Sequence, residues 1–109
     1  MIKVKIDMVE FSLDMEGHAG APRQGEFDLV CCAASTLGQL LIYTLEEYSD
    51  THTGIIRIDE SMEAGHLHIH VRAKEWTRVS IITRFSIVRQ GFEMLQERYP
   101  EYIEVEEVL

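Results

Sequence analysis

Apolar and polar residues alternate over the first part of the chain, which is the period-2 pattern of strands with one buried face. The apolar members are Ile2, Val4, Ile6 and Met8 in the first run, and Phe11, Leu13 and Met15 in the second. No residue pair typical of a tight turn separates the two runs. The pattern nevertheless predicts two strands that pair as a hairpin around Val9 and Glu10.

A long helix is predicted next, from Asp28 to about Tyr48. Asp28 is a good N-cap, because its carboxylate can accept a hydrogen bond from a free backbone N–H group of the first turn. The spacing predicts a buried row at Leu29, Ala33, Leu37, Leu40 and Thr44, broadened by Val30, Leu41 and Leu45. A second stripe contains Cys31, Ser35, Gly38 and Ile42. We therefore expect Cys31 to lie away from the middle of the core-facing set.

The second half of the chain is predicted to contain the same order of elements, two strands followed by one helix. Strands are predicted at 55–59 and 66–72, with a turn at 60–65 between them. A second helix is predicted from Lys74 to Tyr99, because Pro100 cannot continue it. Its apolar positions have spacings of three and four residues, at Ile81, Phe85, Val88, Phe92, Leu95 and Tyr99. A short final strand is predicted around residues 102–105.

The order ββαββα predicts an α+β fold in which two long helices cover one face of a mostly antiparallel sheet, as a two-layer sandwich. Residues 1–109 are expected to form a single domain, because a chain of 109 residues supplies one core. The second helix also has apolar residues outside its main stripe, among them Ile87 and Met94. A homodimer formed through that helix is therefore expected.

Charge restricts the classes of partner. The chain has 19 acidic and 10 basic residues and a net charge of −9, which disfavours direct binding of nucleic acid and suits a basic partner. No apolar run approaches the roughly 18 residues of a membrane span, so no membrane association is expected. The N-terminus resembles neither a signal nor a transit peptide, and a cytoplasmic location is expected. In that compartment Cys31 and Cys32 should be free thiols.

Candidate chemistry is concentrated in residues 17–35. His18 follows a strand, a loop with glycines and Pro22 comes next, and Cys31 lies in what is predicted to be the first helical turn. Free N–H groups and the helix dipole stabilise a thiolate there, and a histidine folded back over it would complete a nucleophile–base pair. The alternative is a loop histidine beside a small buried cysteine, because cysteine is often a core residue.

The chain resembles the ribosomal-processing cysteine protease family (Prp). The specific part is Gly17-His18-Ala19, a glycine-containing loop, and Asp28-Leu29-Val30-Cys31 followed by small residues and Ser35. Weaker parts are Gly65-His66-Leu67-His68-Ile69 and Tyr99-Pro100-Glu101-Tyr102-Ile103. The resemblance implies a bacterial cytoplasmic enzyme, usually a homodimer, that trims the short N-terminal extension of a basic large-subunit ribosomal protein.

The resemblance also implies roles for individual residues. By position Cys31 matches the nucleophile and His18 the general base, with Gly17, Asp28 and Ser35 supporting the site or its pocket. Cys32 departs from the family, which usually has a small residue there, and is expected to replace an alanine. Asp28 is expected to cap the helix rather than to orient His18. Ser35 is expected either to line the pocket or to bond back to a backbone carbonyl.

Other readings of the sequence stay open at this point. A non-catalytic ribosome-assembly or protein-binding module of the same fold is the main alternative, and a thiol-based redox or acyl-transfer enzyme comes third. His66, His68 and His70 lie on one strand face, but same-face Cβ atoms are roughly 7 Å apart, which is too far for three nitrogens to converge on one ion. We therefore expect a solvated strand face, no metal site and no cofactor.

Overall fold

The computed structural model describes residues 1–17, 26–63 and 65–109, with only the backbone given for 26–28. The elements are β1 (Ile2–Asp7), β2 (Ser12–Glu16), α1 (Glu26–Thr51), β3 (Ile55–Glu63), β4 (His66–Ala73), α2 (Arg78–Arg98) and β5 (Ile103–Val108). A single 3₁₀ turn, Glu75–Thr77, precedes α2. The predicted order ββαββα and the final strand are confirmed.

The five strands form one sheet in the order β3-β4-β2-β1-β5. Only β1 and β5 are parallel, and the other three pairs are antiparallel, as predicted. Strand residues with side chains on one face are buried under the two helices, while those on the other face are polar and remain open to solvent. The fold is therefore the expected two-layer α+β arrangement.

The β1–β2 hairpin has the predicted register and a turn of an unpredicted kind. Val4 pairs with Met15 and Ile6 with Leu13, so the apolar residues of both strands share the helix side. The Asp7 carboxylate accepts hydrogen bonds from the backbone N–H groups of Val9 and Glu10, both at 2.9 Å. This side chain organises the turn in place of an Asn-Gly or Asp-Gly pair.

The buried face of α1 differs from the prediction. Leu29 and Leu40 are 60% and 42% exposed. Val30, Leu41 and Leu45, which were predicted to broaden the buried row, are buried, and with Ala34 and Gly38 they form the row that faces the sheet. Apolar residues surround most of this helix, so spacing alone did not select a face. The close approach of Gly38 to the sheet selects it, because a Cβ atom there would lie only 3.1 Å from Leu67 Cδ1.

The predicted stripe of α2 is buried from Ile81 to Leu95, and Tyr99 at its end is half-buried. The helix begins at Arg78 rather than at Lys74, because the intervening residues form the 3₁₀ turn. Gly91 lets α1 approach closely, since a Cβ atom there would lie 2.7 Å from Leu37 Cδ2. Ile87 and Met94 point outward and are 60% and 49% exposed.

One further expectation from the sequence, the turn at 60–65, was wrong. β3 continues to Glu63, so the predicted turn at 60–65 is reduced to the link between β3 and β4. Residues Leu29–Thr51 have the length and the mean hydropathy, 1.4, that a membrane span requires, although the sequence contained no long purely apolar run. One side of that helix packs against the sheet, and core helices meet the same two criteria.

Candidate active site

Cys31 lies one turn deeper in α1 than predicted. The helix begins at Glu26, so Asp28 belongs to its first turn rather than preceding it as the N-cap, and Cys31 is in the second turn. The N–H group of Cys31 is therefore directed to the carbonyl of Phe27 within the helix. The helix dipole acts mainly within the first turn, so it stabilises a thiolate at Cys31 less than the sequence predicted.

The thiol is also more buried than predicted. Cys31 is 8% exposed and belongs to the same core cluster as Val30 and Ala34. Cys31 lies at one flank of the observed buried row and not in its middle, as expected, but it is buried because α1 is rotated about its axis relative to the predicted face. This burial requires a substrate to reach the sulfur from one side of the helix.

Contacts on either side of α1 identify the side from which Cys31 is approached. Leu37 packs against α2, and Arg84 of α2 donates a hydrogen bond to the carbonyl of Thr44. On the opposite flank, the Glu46 carboxyl lies close enough to Glu60 of β3 to raise the pKa of the Glu60 carboxyl. At about 100° per residue, Cys31 and Ser35 lie on the same flank as Glu46. Cys31 thus points partly down onto the sheet and partly toward the side of the sheet on which β3 lies.

Ser35 is half-buried one turn after Cys31, on the flank that faces β3. The hydroxyl that bonds back to a carbonyl in this part of the helix is that of Thr36, which donates to the Cys32 carbonyl at 2.8 Å. The position of Ser35 therefore suits the lining of a pocket beside Cys31.

Cys32 is exposed and points about 100° around the helix from Cys31. Neither cysteine forms a disulfide. The outward direction of Cys32 agrees with the expectation that it plays no part beside Cys31.

His18 lies outside the described residues, and so does the side chain of Asp28. The pairing of His18 with Cys31 and the role of Asp28 therefore remain predictions from the sequence. The described chain ends at Gly17 on one side of His18 and resumes at Glu26.

Gly17, immediately before His18, is held in place by two neighbouring segments. Its φ angle is +108°, a region that favours glycine, and a Cβ atom there would lie 2.3 Å from the Met1 carbonyl oxygen. Its N–H group donates to the Gly65 carbonyl at 3.1 Å. The N-terminus and the β3–β4 link thus fix the point from which the chain continues to His18.

We predict that Gly17→Ala and Gly54→Ala lower stability to a similar degree. Gly17→Ala should in addition lower activity, to below that of Gly54→Ala. Gly54 has a φ of +115°, and its Cβ atom would lie 2.2 Å from Thr77 Cγ2, so both changes combine backbone strain of about 1–3 kcal/mol with a contact. Gly54 lies beyond the far end of α1 from Cys31. Thermal unfolding and cleavage rates of both variants test this, and equal activity in both would contradict it.

The histidines His66, His68 and His70 lie on the open face of the sheet, as predicted from their alternation with Leu67, Ile69 and Val71. His68 Nδ1 is 2.6 Å from the Asp14 carboxylate. Among the described residues, no three His, Cys, Asp or Glu side chains are grouped so that they could hold one metal ion. A depression of about 680 Å³ also lies on this face, lined by Lys3, Val4, Lys5, Asp14, Glu16, His66, Glu104, Val105 and Glu106. Cys31 is on the other side of the sheet.

Comparison with known proteins identifies the family. The family model of the cysteine protease Prp matches residues 1–104. The chain belongs to the cysteine protease Prp family. No curated protein matches the sequence.

Solved structures with the same fold include Prp proteins. SMU.848 from Streptococcus mutans is 23% identical with a TM-score of 0.70, and the match covers 98% of this chain and 91% of that one. The ribosomal processing protease Prp from S. aureus in complex with a substrate peptide is 22% identical with a TM-score of 0.70, over 98% and 99% of the chains. Its complex with a covalently linked product peptide gives 21% and 0.67 over the same shares. At these identities the likeness establishes the fold.

One feature beside Cys31 was missed in the sequence. The flank of α1 that contains Cys31 and Ser35 continues to Glu46, which contacts Glu60 on a sheet edge. The local sequence indicated a strand only over 55–59, because residues 60–63 include the strong helix formers Glu and Met. That β3 is an edge strand depends on the order of the sheet and has no local signal.

Proposed function

We propose that this chain is a cysteine endopeptidase that removes the short N-terminal extension of a large-subunit ribosomal protein. The observation that carries the proposal is the match of the cysteine protease Prp family over residues 1–104, which includes Cys31 and His18. The S. aureus relative is described as an essential ribosomal processing protease. We assign Cys31 as the nucleophile and His18 as the general base and acid.

The reaction begins with the transfer of the Cys31 proton to His18. The thiolate attacks the scissile carbonyl carbon, which forms a C–S bond and moves an electron pair onto the carbonyl oxygen. Collapse of this intermediate breaks the C–N bond, and His18 gives its proton to the leaving amine. Water, deprotonated by His18, then attacks the thioester and releases the acid and the thiolate. No metal or cofactor takes part in these steps.

The position of Cys31 in the second turn affects how the oxyanion is stabilised. Its own N–H group is used within the helix, but the N–H groups of the first three helical residues, 26–28, have no intrahelical acceptor. Helix side chains lean toward the N-terminus, so the Cys31 sulfur lies over that turn. We therefore assign oxyanion stabilisation to first-turn N–H groups rather than to the Cys31 backbone.

The proposal is tested by incubating the purified protein with the extended ribosomal protein from the same organism. Mass spectrometry should show one new N-terminus, at the junction between extension and mature protein. The Cys31→Ala variant serves as the control for a contaminating protease. An intact substrate after incubation with reduced wild-type protein would contradict the proposal.

The burial of Cys31 favours one alternative, a non-catalytic protein-binding module. A thiol that is 8% exposed in a core cluster is also what a structural cysteine looks like. The rate of alkylation separates the two functions, because a catalytic thiolate reacts fast at neutral pH and a structural thiol slowly. Since Cys32 is exposed, the measurement is made on Cys32→Ala.

We further propose a cytoplasmic enzyme that meets its substrate with help from charge. The protein has a net charge of −9, and ribosomal proteins are rich in Lys and Arg. Opposite net charges raise the encounter rate, and this effect is screened over a Debye length of about 10 Å near 0.1 M salt.

We therefore predict two separable responses to salt. Cleavage of the full extended ribosomal protein should slow as salt rises, mainly through kcat/KM. Cleavage of a short uncharged peptide with the same scissile bond should change little. Kinetics of both substrates over a salt series test this, and equal sensitivity would show that overall charge does not contribute to recognition.

We also propose a homodimer formed through α2, as in the family resemblance. Ile87 and Met94 are exposed apolar residues outside the buried stripe of that helix. We predict that Ile87→Glu with Met94→Glu converts a dimer to a monomer in sedimentation, because each change places a charge in an apolar interface. Val9→Glu, at an exposed residue of the β1–β2 turn, is the control. A stable wild-type monomer at micromolar concentration would count against the proposal.

A further inference from the structure

The two edges of the sheet differ in whether another strand can pair with them. An edge strand presents a row of N–H and C=O groups that can bind an extended peptide as an additional strand. β5 forms one edge and β3 the other.

The β5 edge is already occupied by the protein itself. The N–H group of Val105 donates to the Gln96 side chain of α2 at 2.6 Å, and that of Ile103 donates to the Tyr99 carbonyl at 3.3 Å. Residues 103 and 105 point the same way in the strand, so the outward N–H groups of the first half of β5 already have acceptors.

The β3 edge, by contrast, is open in the described structure. The Val71 N–H group donates to the Phe11 carbonyl on the β2 side. Because the backbone N–H and C=O groups of successive residues point to opposite sides of a strand, those of His70 and His68 are directed to β3. There these two residues pair with Asp59 and Ser61. The residues between these, Ile58, Glu60 and Met62, therefore direct their N–H and C=O groups outward. No described residue pairs with that side.

The same three β3 residues have their side chains on the helix side of the sheet, because they pair with the inward-facing residues Val71, Ile69 and Leu67. The α1 flank that bears Ser35 and Glu46 faces these residues, and we call the space between this flank and β3 the α1–β3 groove. Met62 is 57% exposed there. The same helix flank leads from this space toward Cys31, beyond the end of β3.

Gly38 sets the relative position of the two walls. Gly38 packs on Leu67, and Leu67 pairs with Met62. Cys31 precedes Gly38 by seven positions and therefore lies about 10 Å beyond the Met62 level, on the side away from Ile55. Glu46 lies in the opposite direction, beside Glu60.

We propose that the α1–β3 groove binds the substrate as an extended strand paired with β3, and that Glu60 and Glu46 receive a Lys or Arg side chain of that substrate. This inference rests on the proposed function and names the binding mode and the substrate feature that it uses. The paired backbone supplies affinity, and the two carboxyls supply selectivity.

Charge supports a cationic side chain at that place. Burial, the hydrogen bond to Glu46 and the Glu46 charge raise the pKa of the Glu60 carboxyl. The neighbouring charge that acts on Glu60 is thus another carboxyl. A substrate ammonium or guanidinium group placed between the two would favour their ionised forms.

The helix provides a scale for the distance to the scissile bond. Glu46 and Cys31 are 46 − 31 = 15 residues apart in α1, or about 22 Å along its axis. An extended chain covers that distance in about seven residues. The basic residue of the substrate is therefore expected about seven residues from the bond that Cys31 attacks.

The first experiment changes the substrate, so it does not depend on the folding of a variant. Synthetic peptides spanning the extension junction receive a single backbone N-methyl group at successive positions. A strand paired with β3 loses binding at every second position, so kcat/KM should fall about tenfold with a period of two, through KM. A flat profile would overturn the proposal.

The second experiment changes β3. Glu60→Pro removes an outward N–H group, which an edge strand tolerates, and should lower kcat/KM by about tenfold more than Glu60→Gln, again through KM. Thermal unfolding reports whether the variant is folded. An unchanged KM in a folded Glu60→Pro variant would overturn the proposal. So would its conversion from dimer to monomer in sedimentation, because the β3 edge would then be an interface between copies.

The third experiment addresses charge. Replacing the substrate Lys or Arg about seven residues from the scissile bond with Ala should raise KM for the wild type and have little effect in Glu60→Gln with Glu46→Gln. Glu106→Gln, on the open face of the sheet, is the matched control and should retain the preference. An undiminished preference in the double variant would overturn the assignment of these carboxyls.

Failure of the proposed function is distinguishable from failure of this inference. If no peptide is cleaved, the same N-methyl series is measured by fluorescence anisotropy as binding to Cys31→Ala. A period of two in Kd supports the binding mode without any cleavage, and a flat Kd profile or no binding overturns it.

Discussion

Cys31→Ala should abolish cleavage, whereas Cys32→Ala should keep most of it. The two cysteines are adjacent, but the helix directs Cys31 toward the sheet and the β3 edge and leaves Cys32 in solvent. Only Cys31 shares a flank with Ser35, so only its sulfur reaches a carbonyl bound beside that flank. The measurement is the rate of appearance of the new N-terminus for both variants and the wild type.

The two cysteine variants are matched controls for each other. Each removes one sulfur from the same helix and replaces Cys with Ala, so the gain in helix propensity is the same in both variants. Cys31→Ala also removes a buried group and needs a check of thermal unfolding. Full activity in Cys31→Ala with loss in Cys32→Ala would reverse the assignment. Residual activity in both would point to another nucleophile.

His18→Ala should lower the cleavage rate by at least about 100-fold, the lower range for a positioned general base. The effect is expected in kcat more than in KM, because His18 is proposed to transfer protons rather than to hold the substrate. The deeper position of Cys31 increases the expected dependence on His18, since the helix dipole contributes less to thiolate formation there. Alkylation of Cys31 at neutral pH should slow as well, measured in a Cys32→Ala background.

His70→Ala is the matched control for His18→Ala. His70 lies on the open face of the sheet, paired with Ser12 and Asp59 of the neighbouring strands. Its removal deletes the same side chain on the side of the sheet that Cys31 does not face. Similar losses in the two variants would argue against a specific base at His18. A His18→Ala variant with wild-type kcat would exclude it from proton transfer.

The spacing of apolar residues, every second position in strands and every third or fourth in helices, was sufficient to predict most of the architecture. In β1 and β2 the alternation fixes which side chains are buried, and the hairpin register follows because both strands turn their apolar faces to the same side. In α2 a single apolar stripe leaves one way to pack. The element order, the fold class and the outward direction of Ile87 and Met94 were therefore determined by the sequence.

The candidate site was located in the sequence, but its orientation was not. The family resemblance selected His18 and Cys31, and the family model matches residues 1–104, while the pairing of the two residues stays a prediction. The depth of Cys31 in α1 was wrong by about one turn, because Asp28 is a good N-cap and yet belongs to the first turn of the helix. Helix starts depend on what surrounds the first turn, and local preference decides them poorly.

The tertiary structure alone decided which side of α1 is buried and which strands are edges. Apolar residues occupy most sides of α1, so its spacing fits several orientations. The absence of a side chain at Gly38 lets the helix rest on Leu67, and this contact sets the direction of Cys31. The sheet order likewise joins residues far apart in the chain, such as β1 with β5. A sequence period specifies the direction of a side chain within its own element, whereas the neighbour that it meets depends on contacts between elements.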